Sequence, residues 1–317
     1  MPSGVKDRPS VLVIGSLNMD LILQLPRMPL VGESLVGSHY SRSPGGKGAN
    51  QAVGLARMGA DVTFVGKVGD DADGKILIDN LVANSVSADF VSKAENAATG
   101  LAVILLDSDG RNSIAVFPAA NNEMTVAELP AVFAWKQFDA LVLQLEIPDA
   151  VIIDAYRFAK RAAVPVFLDA GPARPFPLEE LWGIDVLSPN ETETLALTGI
   201  KVKSLDQAKL AAAQLAKRSD AGAVVIKLGS LGAMSRTRDG CCQYFPAFKV
   251  HAVDPTAAGD AFTAALAVRF LKTGDIRQSV NYANLAGALA TTRLGAQVSL
   301  PTDREIEDYQ QRSQLTL

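Results

Sequence analysis

Short apolar runs rich in β-branched residues alternate along this chain with longer stretches of helical periodicity, and that alternation constrains the fold more than any other feature. The runs are Val11-Leu12-Val13-Ile14, Val62-Thr63-Phe64-Val65, Leu141-Val142-Leu143, Val164 to Leu168 and Val224-Val225-Ile226. Helical patterns fall between them, from Gly48 to Met58, Ala72 to Ala83, Ala150 to Ala162 and Leu205 to Lys217. A strand that re-enters its sheet through a helix must run parallel to its predecessor. The pattern therefore predicts an α/β fold: a doubly wound, mostly parallel sheet with helices on both faces. Its ligand crevice belongs beyond the C-terminal ends of the strands.

Two stretches break the alternation. Asp20 to Ser38 carries strand-like runs interrupted by Pro26, Pro29 and Gly32, and Thr99 to Phe117 alternates apolar and polar residues around the Asp107-Ser108-Asp109-Gly110 turn, as a hairpin does. These inserted strands, at about 18–40 and 99–118, predict a small separate β-sheet lid over the crevice of a single α/β domain spanning residues 1–317. An apolar lid face left exposed predicts a homodimer. Asp303 to Leu317 predicts a closing amphipathic helix.

Of the 317 residues 48% are hydrophobic and 20% charged, so a large core is available, and the net charge of -4 disfavours nucleic acid or an anionic membrane as partner. A small soluble ligand fits better. Only His39 and His251 are present, with Cys241 and Cys242 adjacent, which leaves a zinc site or a Ser/His/Asp triad little to build on. No run approaches the roughly 18 apolar residues of a membrane span, and the polar stretch from Met1 to Pro9 lacks the apolar core of a signal peptide. The expected location is the cytoplasm.

The chemistry concentrates at strand ends and helix starts. In Asp254-Pro255-Thr256-Ala257-Ala258-Gly259-Asp260-Ala261-Phe262, a turn of small residues feeds a helix, whose free N–H groups can hold phosphate oxygens. Asp260 would repel that phosphate unless it had another task, and taking a proton from an attacking hydroxyl is such a task. Gly15-Ser16-Leu17-Asn18-Met19-Asp20 follows the first strand with an amide and a carboxylate suited to hydroxyl groups. Pro44-Gly45-Gly46-Lys47-Gly48-Ala49-Asn50-Gln51-Ala52 opens a helix with Lys47 and Asn50, but Gly48 replaces the Ser or Thr of a P-loop. No Gly-x-Gly-x-x-Gly closes the first strand, which disfavours a nicotinamide-dependent oxidoreductase. Glu146 ends a third strand, Asn190 and Glu193 form a capping pair after a fourth, and Lys227-Leu228-Gly229-Ser230-Leu231-Gly232 follows a fifth. Singly, each is also what a cap or a tight turn requires.

Taken in order, from Gly15 to Asp20, Gly45 to Asn50, Asn190 to Glu193 and Asp254 to Asp260, these motifs resemble those of the ribokinase-like (PfkB) carbohydrate kinases over Val11 to about Pro301. The resemblance implies transfer of the γ-phosphoryl group of ATP to a sugar hydroxyl with Mg2+. It implies Asn18, Asp20, Gly46, Lys47, Asn50 and Glu146 as sugar ligands, Asp260 as general base, and the backbone of Ala257, Ala258 and Gly259 as anion hole. Asn190, Glu193, Lys227, Gly229, Gly232 and Asn284 would surround the nucleotide and its metal. Within the family the sugar motifs are most similar to those of ribose-specific members, which implies ribose 5-phosphate as product and a K+ ion near Asp254, Thr256, Ala290, Arg293, Gly295 and Ser299. Deoxyribose, another pentose, a ketohexose or a nucleoside are the alternative substrates, and a non-catalytic sugar-binding regulator is the reading outside enzymology.

Two departures from the family pattern bear on that. Pro255 stands where Thr is usual, fixing φ near −65° and biasing Asp254 toward extended geometry. Pro118 and Ala119 stand where a glycine-containing turn is usual.

Overall fold

The computed structural model describes residues 8–109 and 111–314. Gly110 of the expected turn and residues 315–317 of the expected final helix lie outside that range, as do residues 1–7. The first half runs β1 (Ser10–Ile14), β2 (Asn18–Leu25), β3 (His39–Gly45), α1 (Lys47–Arg57), β4 (Asp61–Gly69), α2 (Ala72–Ala83), β5 (Val86–Ala94), β6 (Gly100–Asp107), β7 (Asn112–Phe117) and α3 (Leu129–Trp135). It continues through β8 (Ala140–Gln144), α4 (Asp149–Arg161), β9 (Val166–Asp169), β10 (Val186–Ser188), α5 (Glu191–Thr198) and α6 (Leu205–Ser219). The remainder is β11 (Ala223–Lys227), β12 (Gly232–Thr237), β13 (Cys242–Pro246), α7 (Ala258–Thr273), α8 (Ile276–Ala290) and α9 (Asp303–Gln314).

The large sheet has the order β13-β12-β11-β10-β9-β8-β1-β4-β5, parallel from β11 to β5 and closed at one edge by the antiparallel β12 and β13. From β1 the chain winds outward through β4 and β5, then returns to β8 and winds the other way. The order reverses between β1 and β8, and the crevice beyond their C-terminal ends is where such a sheet binds ligands. Successive residues of β1 serve opposite faces: Val11 and Val13 pack with α1, α7 and α8, whereas Leu12 and Ile14 pack with α4 and α6. Both faces are thus covered by helices, as the alternation predicts.

A second sheet, β3-β2-β6-β7, stands apart. It includes the expected hairpin of β6 and β7, but β2 also pairs with β6 in parallel over its whole length, and β3 runs on to Gly45, past the expected boundary. The Pro26, Pro29 and Gly32 punctuation marks the excursion between β2 and β3. Every residue of β7 is exposed, and Tyr40, Ile114, Val116 and Phe117 show apolar surface to solvent. The edge strands β5 and β13 escaped the sequence reading, because their exposed segments lack a continuous apolar run, whereas the short β10 is the strand expected before Asn190. Among the described residues no helix is long and apolar enough to cross a membrane.

Candidate active site

Strand β1 ends at Ile14, and the chain passes in three residues, Gly15 to Leu17, to Asn18 at the start of β2. Glycine is required here. A Cβ at Gly46, where φ is +89°, would lie 2.7 Å from the Asn18 backbone nitrogen, and one at Gly45 would lie 2.2 Å from the Asp20 carboxylate. With those side chains absent, the start of α1 sits directly on the β1–β2 connection. The Lys47 N–H donates to Glu146 at 3.0 Å, the Ser16 hydroxyl donates to the same carboxylate, and the Gly48 N–H donates to Ser16 Oγ at 3.3 Å. Asn18, Asp20, Lys47, Asn50 and Glu146 therefore converge. The first turn of α1 faces α7, where Asn50 Nδ2 donates to Asp260 Oδ2 at 2.9 Å and Lys47 Nζ lies 3.8 Å from Asp260 Oδ1.

Helix α7 starts as the sequence implies. Ala257 caps it in the left-handed region at φ 59°, and Asp260 occupies its first turn, buried. The Ala258 N–H donates to the Pro255 carbonyl at 3.2 Å, so the Gly259 N–H is the more open of the two toward an anion. Lys227 lies alongside: its Nζ would be 3.8 Å from a Cβ on Gly259.

Lys227 is buried at the end of β11 and donates to Asp169 Oδ1 at 2.7 Å, while Lys47 Nζ lies 3.7 Å from Asp169 Oδ2. Asp169 was not singled out from sequence. Its signal is an acid closing an apolar strand before the small residues Ala170-Gly171-Pro172, the same signature that Glu146 carries after β8. Gly171 belongs to the same layer, since a Cβ there would meet Lys47 Cε at 2.5 Å and Glu193 Oε1 at 2.6 Å. Asn121, also unassigned from sequence, donates Nδ2 to Asn18 Oδ1 at 2.8 Å and accepts the Leu17 N–H at 2.9 Å. Ala119, two residues before it, takes φ 45°, the left-handed conformation usually left to glycine.

At the start of α5, where nucleotide contacts are expected, the capping box closes: Asn190 Oδ1 accepts the Glu193 N–H at 2.9 Å, and Glu193 Oε2 accepts the Asn190 N–H at 2.7 Å. Asn190 bridges to Lys227 across β10 and β11. Gly229 and Gly232 take positive φ, and at Gly232 a Cβ would sit 2.1 Å from the Phe245 carbonyl. Asn284 is buried and donates to the Pro246 carbonyl at 2.7 Å, so it secures the end of β13.

The expected cation residues also assemble in part. Asp254 Oδ1 accepts the Thr256 N–H at 2.9 Å and Oδ2 accepts the Gly295 N–H at 2.8 Å, tying the Pro255 turn to the loop after α8. The Arg293 N–H donates to the Ala290 carbonyl at 3.4 Å, whereas the Arg293 side chain turns outward to Glu305 and Ser299 Oγ donates to the Ala296 carbonyl at 2.7 Å.

Charge in this layer is balanced against burial. Burial raises the Asp260 carboxyl above its ordinary pKa, with Lys47 and the Asn50 and Gln51 amides pulling the other way. Burial likewise lifts Glu146, against Lys47 and Ser16. Asp20 is pushed up to about 7 by burial and then by Glu146 and Asp260. For Asp169, burial is outweighed by Lys227 and Lys47, which hold it below the usual carboxylate value. Lys47 is only partly buried, and although desolvation works against its charge, Asp169, Asp260, Glu193 and Glu146 raise its pKa above the ordinary lysine value.

A family model described as pfkB family carbohydrate kinase matches residues 8–303. The chain is 35% identical over 306 residues to the ribokinase of Bacillus subtilis, covering 94% of this chain and 98% of that one. It is 37% identical over 309 residues to a bifunctional ribokinase/ribose-5-phosphate isomerase A of Fructilactobacillus sanfranciscensis, covering 96% of this chain but 57% of that longer protein. Among solved structures, Arabidopsis thaliana ribokinase complexed with ribose and ATP matches with a TM-score of 0.86 at 35% identity, over 95% of this chain and 98% of that one. By fold, by ordered motifs and by this match across nearly its whole length, the chain belongs to the pfkB family of carbohydrate kinases.

Proposed function

We propose that this enzyme phosphorylates the 5-hydroxyl of D-ribose with ATP, giving ribose 5-phosphate and ADP. The observation that carries the reading is the placement of Asp260, a buried carboxylate in the first turn of α7, gripped by Asn50, beside Lys47 and the open Gly259 N–H. A base, a cation and an anion cradle in one place are what transfer of a phosphoryl group to a hydroxyl needs. Ribose is favoured by the relatives and by the sugar motifs together.

Asn18, Asp20, Gly46, Lys47, Asn50 and Glu146 hold the sugar. The Asn50 Oδ1 atom is buried without a hydrogen-bond partner among the described residues, and a sugar hydroxyl would satisfy it. Asp260 takes the proton of the attacking hydroxyl, whose oxygen bonds to the γ-phosphorus as the bridging P–O bond breaks and its electron pair leaves with ADP. The backbone at Ala257, Ala258 and Gly259, with Lys227, offsets the charge on the transferred group. Burial moves the Asp260 pKa toward the working pH, which suits a general base.

Asn190, Glu193, Lys227, Gly229, Gly232 and Asn284 line the nucleotide. No three metal-ligating side chains converge among the described residues, so the buried Glu193 would hold Mg2+ only together with the phosphate oxygens of the nucleotide. Such an ion supplies positive charge to the phosphates. The loops carrying Asp254, Thr256, Ala290, Arg293, Gly295 and Ser299 are tied together by Asp254, and their backbone carbonyls, with that of Pro255, would supply the oxygens for K+. That ion adds positive charge near the anion hole. The exposed apolar face of the lid supports a homodimer, and the chain reads as one domain working in the cytoplasm.

A coupled assay for ADP across ribose, 2-deoxyribose, other pentoses, ketohexoses and nucleosides, with and without potassium, tests the reading. Ribose should give the highest kcat/KM. Absence of sugar-dependent ADP formation in the presence of ATP, magnesium and potassium would refute it.

A further inference from the structure

Gln51 and Gln144 are both fully buried, belong to no assigned role above, and lie directly behind the catalytic carboxylate. Gln51 Nε2 donates to Asp169 Oδ2 at 2.7 Å and to Asp260 Oδ1 at 3.0 Å. Its Oε1 accepts from Gln144 Nε2 at 2.7 Å. The polarity of this chain is dictated by its ends: an ionised carboxylate only accepts, so both hydrogens of the Gln51 amide turn to the two aspartates and its carbonyl must face Gln144. Gln144 in turn is held beside Gly15, where a Cβ would overlap its Oε1 at 2.1 Å. Asp169 is fixed from the other side by Lys227.

We propose that Gln51, oriented by Gln144, is the positioning residue for the base: it fixes the Asp260 carboxylate toward the attacking hydroxyl and ties it to the Asp169–Lys227 pair at the phosphate end. The inference rests on Asp260 being the base. Asn50 holds Oδ2 and Gln51 holds Oδ1, so rotation of the carboxylate is blocked at both oxygens while each keeps a lone pair for the proton. A donated N–H also favours the charged carboxylate, so Gln51 offsets part of the effect of burial.

The test compares wild type with Gln51→Met, Gln144→Leu and Asp260→Asn in steady-state ribose phosphorylation from pH 5.5 to 9. Gln51→Met keeps the length and removes the donors. It should lower kcat about 10- to 100-fold with the ribose KM within about twofold, and move the acidic limb of the kcat profile upward by about one pH unit. Gln144→Leu leaves Gln51 in place but unsupported, and should shift both readouts in the same direction by less; it also carries the test should Gln51→Met not fold. An unchanged kcat, or a kcat reduced equally at every pH with the limb unmoved, overturns the positioning role. Full turnover by Asp260→Asn would instead overturn the base assignment beneath it, so the two failures are separable.

Discussion

Lys227 Nζ lies 2.7 Å from Asp169 Oδ1, and this buried pair joins the ends of β11 and β9 across the intervening β10. It links the strand end that leads to the Gly229–Gly232 loop with the strand end that leads to Gly171. Removing one partner leaves an uncompensated buried charge, so Asp169→Ala should destabilise the protein by about 3 kcal/mol in urea unfolding at pH 7. Asp169 is held below its unfolded value of 3.8, so the contribution is present above that pH and lost as the pH falls through the folded pKa. The deficit should shrink in acid. A variant as stable as wild type at pH 7 would show that Lys227 and Lys47 do not depend on Asp169.

The second expectation concerns Asp260. Asn at that position keeps the hydrogen-bonding shape and loses the ability to take a proton. Asp260→Asn should reduce kcat by about 10² to 10⁴ while calorimetric binding of ribose and ATP changes little. Retained turnover would remove Asp260 from the base role.

Asp20 should make the free protein lose stability as the pH rises from about 4 to about 7. Its pKa rises on folding from 3.8 to about 7, so the folded state binds more protons across that window and stability falls as pH increases through it, by about 1.4 kcal/mol per unit at most. Asp20→Asn escapes the penalty. Thermal melts should show the variant gaining on wild type between pH 4 and pH 8, even as its ribose KM worsens. A gap independent of pH would mean that Asp20 ionises normally.

Gly171→Ala separates activity from stability. Its new Cβ meets the far ends of the Lys47 and Glu193 side chains, which can move aside cheaply. The fold should lose no more than about 1 kcal/mol, but Lys47 is displaced from Asp169 and Asp260, and kcat/KM should fall about 10- to 100-fold. Wild-type kinetics in this variant would show that the position of Lys47 is not critical.

The parallel sheet was legible because strands buried on both faces, such as Val11-Leu12-Val13-Ile14, must be apolar throughout. β5 was not legible, since its residues alternate between partial burial and exposure at the sheet edge. Asn18, Lys47, Glu146 and Asp260 stood out because a polar group beside a strand end or helix start needs a reason. Gln51 and Gln144 did not, because an amide inside a helix or strand pattern reads as ordinary until tertiary contact sets Gln51 between two carboxylates with Gln144 behind it. Asp169 failed to register for a related reason: the Lys227 and Lys47 that hold it come from residues far away in sequence.

The three-residue passage from β1 to β2 has a mechanical consequence. Asn18 and Asp20 ride on the small sheet, whereas Glu146 and Asp260 are rooted in the large one. The sugar proposed to contact all four would brace the small sheet against the large one, so part of its binding free energy would go into ordering the two sheets relative to each other.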